Sequence, residues 1–323
     1  MKVLKYSSVT LPDVAELWQS YFKTPSVIGN YELACNIEKS LFSFGVDDVA
    51  VLIFMDNDTV KGILPISYEK SRSAWCYYPS YIFISVEVTI DVECWQYLPT
   101  LLPKPFIMYE TSIKTVSQLS RLKIPWLTLY EANVIDLAEY TPEADPFNAY
   151  QNSLDKKTRS KFRNCLNRNN DVDAVITNKY DVCGGDVLRQ SYMNYCDERF
   201  EEGQDFIYFK NQLALFPQIF SVASQLDQLV TLQISLNGVL VALNYSIFIG
   251  DCLYDYICYR EINEDLDKRS LGTLAILKNI NWLLTHHSAR DKLYYDLASE
   301  FSYKKQFIPP YSSNYRYLKL SFD

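Results

Sequence analysis

The chain has 323 residues, 48% hydrophobic and 22% charged, with a net charge of −8 at neutral pH. That length exceeds a usual single domain and the composition is globular, so two domains with a core each are expected. The acidic balance argues against a protein built mainly to bind nucleic acid, because neutralising phosphates takes a basic surface, although a local basic site stays open. Eight cysteines without a CxxC pair read as reduced thiols, not as disulfides or metal ligands. The first eighteen residues lack the build of a secretion signal and no apolar run reaches bilayer length, so a cytoplasmic protein without a membrane span is expected.

In chain order, Leu11, Val14, Leu17, Trp18 and Phe22 follow helical spacing and predict an amphipathic helix over Leu11–Lys23. Asp48–Phe54 and Val60–Tyr68 read as strands joined through the polar Met55–Thr59. Further strands are expected over Tyr81–Val88 and Trp126–Leu129, and helices near Cys94–Leu102 and Ser112–Leu122, in a region cut by Pro99, Pro103, Pro105 and Pro125. The acidic Leu137–Phe147, with Pro142 and Pro146, suits a linker, and a boundary near Tyr140 divides the chain into residues 1–140 and 141–323.

Tyr150–Arg168 predicts one helix with Leu154, Thr158, Phe162, Cys165 and Leu166 on one face and a basic opposite face. A strand at Asp173–Thr177 and helices over Asp186–Phe200 and Asp205–Leu215 follow. Leu229–Leu236, Asn237-Gly238, Val239–Ile249, Gly250-Asp251 and Cys252–Arg260 then spell a three-stranded antiparallel meander, since Asn-Gly favours the tight hairpin turn. The hairpin of residues 50–67 echoes the one of residues 231–246, a weak internal repeat.

The last third orders a strand (Leu253–Arg260), the loop Asp267-Lys-Arg-Ser-Leu-Gly-Thr273, a helix carrying Ile276, Leu277, Ile280, Leu283 and Leu284, the strand Leu293–Ser299 with an embedded Asp296, and Tyr303-Lys-Lys-Gln-Phe307. Gly272 is expected at a tight turn, with backbone N–H groups of Arg269, Ser270, Leu271, Gly272 and Thr273 free at a helix start, where the dipole favours an anion. This order resembles the GNAT acyltransferases, in particular their FemAB-like and CelD/BcsL-like branch, and Phe147–Arg168 resembles the opening helix of that branch's C-terminal domain. The matches bracket about half the chain.

The resemblance implies an α/β (α+β) fold of two tandem GNAT-like domains, each a mixed, mainly antiparallel sheet flanked by helices. Only the second would hold a donor, acetyl-coenzyme A or another acyl-coenzyme A, with its pyrophosphate on Arg269–Thr273. It also implies Tyr303 as the acid that protonates the leaving thiolate, and Lys304 as a stabiliser of developing negative charge. Tyr303 is one of 26 tyrosines, most of which pack in cores. The base is Asp296, then Asp255, an acid among apolar strand neighbours whose desolvation would raise its pKa, with Glu300 third. Each carboxylate alternatively pairs with a cation such as Arg260 or Lys304.

Lys156, Lys157, Arg159, Lys161, Arg163 and Arg168 make the one basic stretch of an acidic chain. Arg159 and Arg163 share a helical face suited to a phosphate or carboxylate on a small acceptor, or to the donor's phosphates; the same run also fits a solvated face. His286 and His287, near the end of the Gly272 helix, suit a cationic cap. No GxSxG, GxxxxGK[ST], HExxH or GxGxxG occurs, so serine-hydrolase, P-loop and zinc-protease chemistry lacks support, and no metal is expected. N-acylation of a sugar, amino acid or envelope precursor is the expected activity. The alternatives are an aminoacyl-tRNA-dependent transferase and a GNAT-shaped binding module without chemistry.

Overall fold

The computed structural model describes residues 1–70, 73–78, 89–103, 105–111, 121, 133–199, 204–297, 303–310 and 318–322. The expected strands at Tyr81–Val88 and Trp126–Leu129, nearly all of the Ser112–Leu122 helix, and Glu300 lie outside these residues. The chain forms two compact units, Met1–Glu131 with Ile207–Val222 and Tyr315–Asp323, and Ala132–Phe206 with Ala223–Asn314.

The first unit opens with β1 (Lys2–Tyr6), which pairs antiparallel with β2 (Val46–Asp56). Helix α1 (Pro12–Tyr21) starts with proline in its first turn and buries Val14 and Trp18, as its spacing predicts. Helix α2 (Tyr31–Ser43), not anticipated from the sequence, has the Asn30 side chain accepting from the Leu33 N–H and buries Leu33, Ala34, Ile37 and Leu41. β2 turns through Asn57 (φ 52) into β3 (Thr59–Glu69), and β4 (Ala74–Tyr77) continues the antiparallel order. The region expected to be a helix over Cys94–Leu102 is a 3-10 turn (Val92–Tyr97) running into the single turn α3 (Leu98–Leu101), and it leads to β5 (Phe106–Thr111), parallel to β4.

The second unit begins with β6 (Val134–Asp136), and the expected linker Leu137–Phe147 that follows holds a 3-10 turn (Ala138–Tyr140) and runs into the next helix at Pro146. The predicted Tyr150–Arg168 helix is two helices, α4 (Pro146–Ser153) and α5 (Lys156–Arg168). The break falls where Asp155 leaves helical geometry and its carboxylate accepts from the N–H groups of Lys157 and Thr158; the Thr158 side chain first, and these N–H groups with it, hold its pKa below the usual range. Then come β7 (Val172–Thr177), α6 (Val182–Arg199), α7 (Gln204–Gln225, whose residues 207–222 belong to the first unit), β8 (Leu229–Leu236), β9 (Val239–Ile249) and β10 (Cys252–Arg260). The meander has the predicted bounds, turning at Asn237 (φ 52) and Gly238 (φ 76). Helices α8 (Glu264–Arg269) and α9 (Leu271–His286) lead to β11 (Tyr294–Asp296), parallel to β10, and the chain closes with a 3-10 turn at Lys304–Phe307 and β12 (Leu318–Phe322).

The two sheets share one plan. Their orders are β1-β2-β3-β4-β5-β12 and β7-β8-β9-β10-β11-β6, with four antiparallel strands, a fifth parallel to the fourth, and a sixth antiparallel to the fifth. The core of the second sheet includes Leu253, Tyr295, Ile276, Leu277, Ile280, Phe162 and Phe307, which clamps α9 and the Lys304 turn onto β10 and β11.

Candidate functional site

β10 and β11 pair in parallel over Cys252–Tyr254 and Tyr294–Asp296, and one residue further Leu297 N–H donates to the Asn133 carbonyl (2.9 Å). Just past the last paired residue of β10 the β9–β10 ladder shifts register between Asp255 and Ile257, a bulge that re-aims the side chains beyond it.

Asp255 stands at that bulge, buried. Its Oδ1 accepts from Asn244 Nδ2 (2.8 Å) and the Tyr295 hydroxyl (3.3 Å), and its Oδ2 from Lys304 Nζ (3.4 Å). Lys304, equally buried, also donates to the Leu297 carbonyl. An ammonium has three hydrogens, so one remains after these two partners. The Lys304 turn is pinned from α4 and α5: the Tyr150 hydroxyl donates to the Phe307 carbonyl (2.7 Å), Phe162 stacks on Phe307 (4.6 Å between centroids), and Lys161 Nζ donates to Gln306 (2.7 Å).

Tyr303 keeps 48% of its surface exposed. Burial around its hydroxyl, with the Asp255 and Cys258 charges behind it, nonetheless pushes its pKa well up, so the phenol stays protonated across the neutral range. Burial does the same for the Cys258 thiol, raised to about 12, and for Tyr295. Tyr303, Lys304 and Asp255 are thus gathered. Asp296 is not with them: Tyr295 lies on the Asp255 face of the sheet, and its strand neighbour Asp296, also buried, projects from the other face. The ion-pair alternative for Asp255 is the arrangement observed, with Lys304 as partner; Arg260 pairs with Asp267 (2.5 Å).

The tight turn expected at Gly272 falls instead at Ser270, whose left-handed backbone (φ 56) ends α8 and begins α9. Gly272 lies inside the first turn of α9, and a Cβ built on it would meet nothing within 4 Å, so neither a turn nor close packing requires glycine there. No side chain caps α9, so among the described residues its first N–H groups have no side-chain partner. The Arg269 guanidinium is turned to Asp171 in a two-pronged ion pair (2.6 and 2.9 Å) that holds the Asp171 carboxyl below its usual pKa, and the Ser270 N–H, expected to be free, donates to the Asp267 carbonyl (3.2 Å).

A cleft of about 740 Å³ opens between this helix start and α5. Ser270 and Thr273 line one wall, and Lys156, Lys157, Lys161 and Arg168 the other. The walls are stitched together, as Asn169 Nδ2 donates to the Arg269 carbonyl (2.8 Å) and Arg168 to the Lys268 carbonyl. Arg159 and Arg163 do not line the cleft; Arg159 bonds the Asn152 side chain (3.1 Å). The signal for the right face was in the spacing: Lys157, Lys161, Asn164 and Arg168 recur at i, i+4, i+7 and i+11, whereas Arg159 and Arg163 fall half a turn away. Asn244 and Asn279 were also missed, and their signal is amide side chains at apolar positions of a strand and a helix.

Among the described residues no three His, Cys, Asp or Glu side chains gather as a metal site requires, and no helix is long and apolar enough to cross a membrane.

No family model matches the chain and no curated protein matches its sequence. Among solved structures it aligns with FemX over 100% of this chain and 97% of that one, at 10% identity and a TM-score of 0.56. It aligns with the C-terminal domain of a candidate lysylphosphatidylglycerol synthetase from Agrobacterium fabrum over 95% and 92%, at 10% identity and a TM-score of 0.50. A tandem GNAT protein from the clavulanic acid biosynthesis pathway aligns over 99% and 98%, at 10% identity and a TM-score of 0.46. The chain has the expected α/β fold class, two units each built on a mixed, mainly antiparallel sheet flanked by helices, and it shares its fold with FemX.

Proposed function

We propose that the protein is a GNAT-type N-acyltransferase of the FemAB-like branch that moves an acyl group, acetyl in the simplest case, from acyl-coenzyme A to the amine of a small acceptor such as a sugar, amino acid or envelope precursor. The observation that carries this function is the meeting of an uncapped helix start with four cations in one cleft. Helix dipole, free N–H groups and ammonium or guanidinium donors act together on a polyphosphate, and each alone would be weak.

With the pyrophosphate at the start of α9, the pantetheine arm would run along the end of β10 toward Lys304. As the acceptor nitrogen bonds to the thioester carbon, negative charge moves onto the carbonyl oxygen, where the remaining Lys304 N–H and backbone N–H groups at the bulge would meet it. The carbon–sulfur bond then breaks, Tyr303 gives its proton to the thiolate, and the amine proton leaves to water, because Asp296 lies on the far face of the sheet, out of reach as a direct base. Asp255, its oxygens filled by donors, serves here to hold Lys304.

Isothermal titration of the protein with acetyl-coenzyme A, beside a Gly272→Trp variant that fills the space over the helix start, tests the donor. Micromolar binding abolished in the variant supports acyl-coenzyme A. A folded protein that binds neither acetyl- nor longer acyl-coenzyme A removes it. An aminoacyl-tRNA-dependent transferase is the second function the site accommodates, favoured by the FemX likeness and by the exposed cations of α5, which would serve an RNA backbone as well. Binding of aminoacyl-tRNA in place of acyl-coenzyme A would select it.

A further inference from the structure

We infer that Asn279 is a positioning residue for Lys304, acting through Asn244, Tyr295 and Asp255. Its catalytic consequence rests on the acyltransferase function proposed above; its geometry does not.

Asn279 lies on the buried face of α9 with Ile276, Ile280 and Leu283, fully enclosed, at a position where a leucine would serve packing better. Its Nδ2 donates to Asn244 Oδ1 (2.6 Å) and to the Tyr295 oxygen (3.0 Å), while its own Oδ1 is buried without a partner. A buried amide that leaves one end unsatisfied weakens a fold, so packing does not account for it.

What the two donated hydrogen bonds do is set direction. A phenol has one hydrogen, and because its oxygen already accepts from Asn279, that hydrogen is directed at Asp255 Oδ1. Asn244 Oδ1 accepts from Asn279 and from Ser246 (3.2 Å), which turns the Asn244 amide so that Nδ2 faces Asp255 and the Ile257 carbonyl. Both donors to Asp255 Oδ1 are therefore oriented by one side chain. With Oδ1 filled, Oδ2 is the oxygen left for the Lys304 ammonium. Removing Asn279 frees the phenol and the amide to rotate, and Lys304 loses its fixed partner.

Asn279 is also seven residues from Gly272, close to the same face of α9 and about 10 Å along its axis. The helix whose start lines the phosphate cleft is thus the helix that sets the Lys304 pair, and α9 acts as a spacer between donor phosphate and reacting carbonyl.

The test labels the intact protein with N-hydroxysuccinimidyl acetate and follows acetylation of Lys304 by peptide mass spectrometry, with exposed Lys268 as reference, in wild type, Asn279→Leu and Tyr295→Phe. Thiol release from acetyl-coenzyme A, with hydroxylamine as surrogate amine, is measured alongside its Kd. The expected result is a rise of at least threefold in Lys304 labelling relative to Lys268 in both variants, with kcat down about tenfold or more and Kd within twofold. Wild-type labelling and turnover in folded Asn279→Leu would overturn the inference. If Asn279→Leu does not fold, Tyr295→Phe, which removes one oxygen, decides by the same two readouts. If wild type does not bind acetyl-coenzyme A, the donor assignment fails, while the labelling ratio still decides whether Asn279 positions Lys304.

Discussion

Lys304 and Asp255 form an ion pair 3.4 Å long whose side chains are 9% and 8% exposed. It joins a 3-10 turn to the bulge of β10, next to the last described pair of the β10–β11 ladder. Burying two charges is repaid only when each is well supplied with partners, and here five groups converge.

Breaking the pair from one side should therefore cost more than removing it. Lys304→Met is expected to lower stability by about 3–5 kcal/mol, because the Asp255 carboxylate is left buried beside neutral donors only. Lys304→Met with Asp255→Asn should recover most of that loss in urea unfolding. Turnover should fall by about 10²-fold or more in both, as for loss of an oxyanion donor. A double variant with wild-type turnover would show that Lys304 serves stability alone.

The cleft and the outer face of α5 should separate by charge reversal. Lys157→Glu with Lys161→Glu is expected to weaken acetyl-coenzyme A binding by about tenfold or more at low salt, with a reduced salt dependence. Arg159→Glu with Arg163→Glu, off the cleft, should change Kd by less than about twofold. Titration at two ionic strengths checks both, and the reverse ranking would return the anion site to the outer face.

Tyr303→Phe removes the phenol hydroxyl and keeps the ring. A loss of about 10²- to 10⁴-fold in kcat with little change in Kd is the expected signature of a general acid. Because its pKa is raised, Tyr303 should remain a proton donor above the ordinary tyrosine titration near 10. Turnover measured through pH 10 should show no loss that Tyr303→Phe removes.

Alkaline stability has a defined sign. Burial raises the pKa values of Tyr78, Tyr150 and Tyr295 well above the unfolded value, so the folded protein holds those protons more tightly. The stability this contributes is complete below about pH 10 and is lost as pH rises further, since unfolded tyrosines ionise first. Absorbance at 295 nm should show exposed tyrosines titrating normally and a second group titrating together with the loss of secondary structure. Smooth ionisation of all 26 tyrosines in a folded protein would contradict the burial.

Local physics made part of this legible from sequence. The meander followed from alternation and an Asn-Gly turn, α1 from its apolar stripe, and α9 from an apolar face behind an anion-loop pattern. The proximity of Tyr303, Lys304 and the β10 strand came from resemblance. The internal repeat showed only as two hairpins, because each sheet's parallel fifth strand and antiparallel sixth are set by pairings far apart in the chain. Which edge strand closes which sheet, β12 beside β5 and β6 beside β11, depends on hydrogen-bonding partners that no local pattern names. The Asp296 side-chain direction turned on strand register, where one residue changes the face. The choice between the two faces of α5 turned on what packs beside it, and the pairing of Asp255 with Lys304, 49 residues on, was one option among several carboxylates and cations until burial excluded water as the alternative partner.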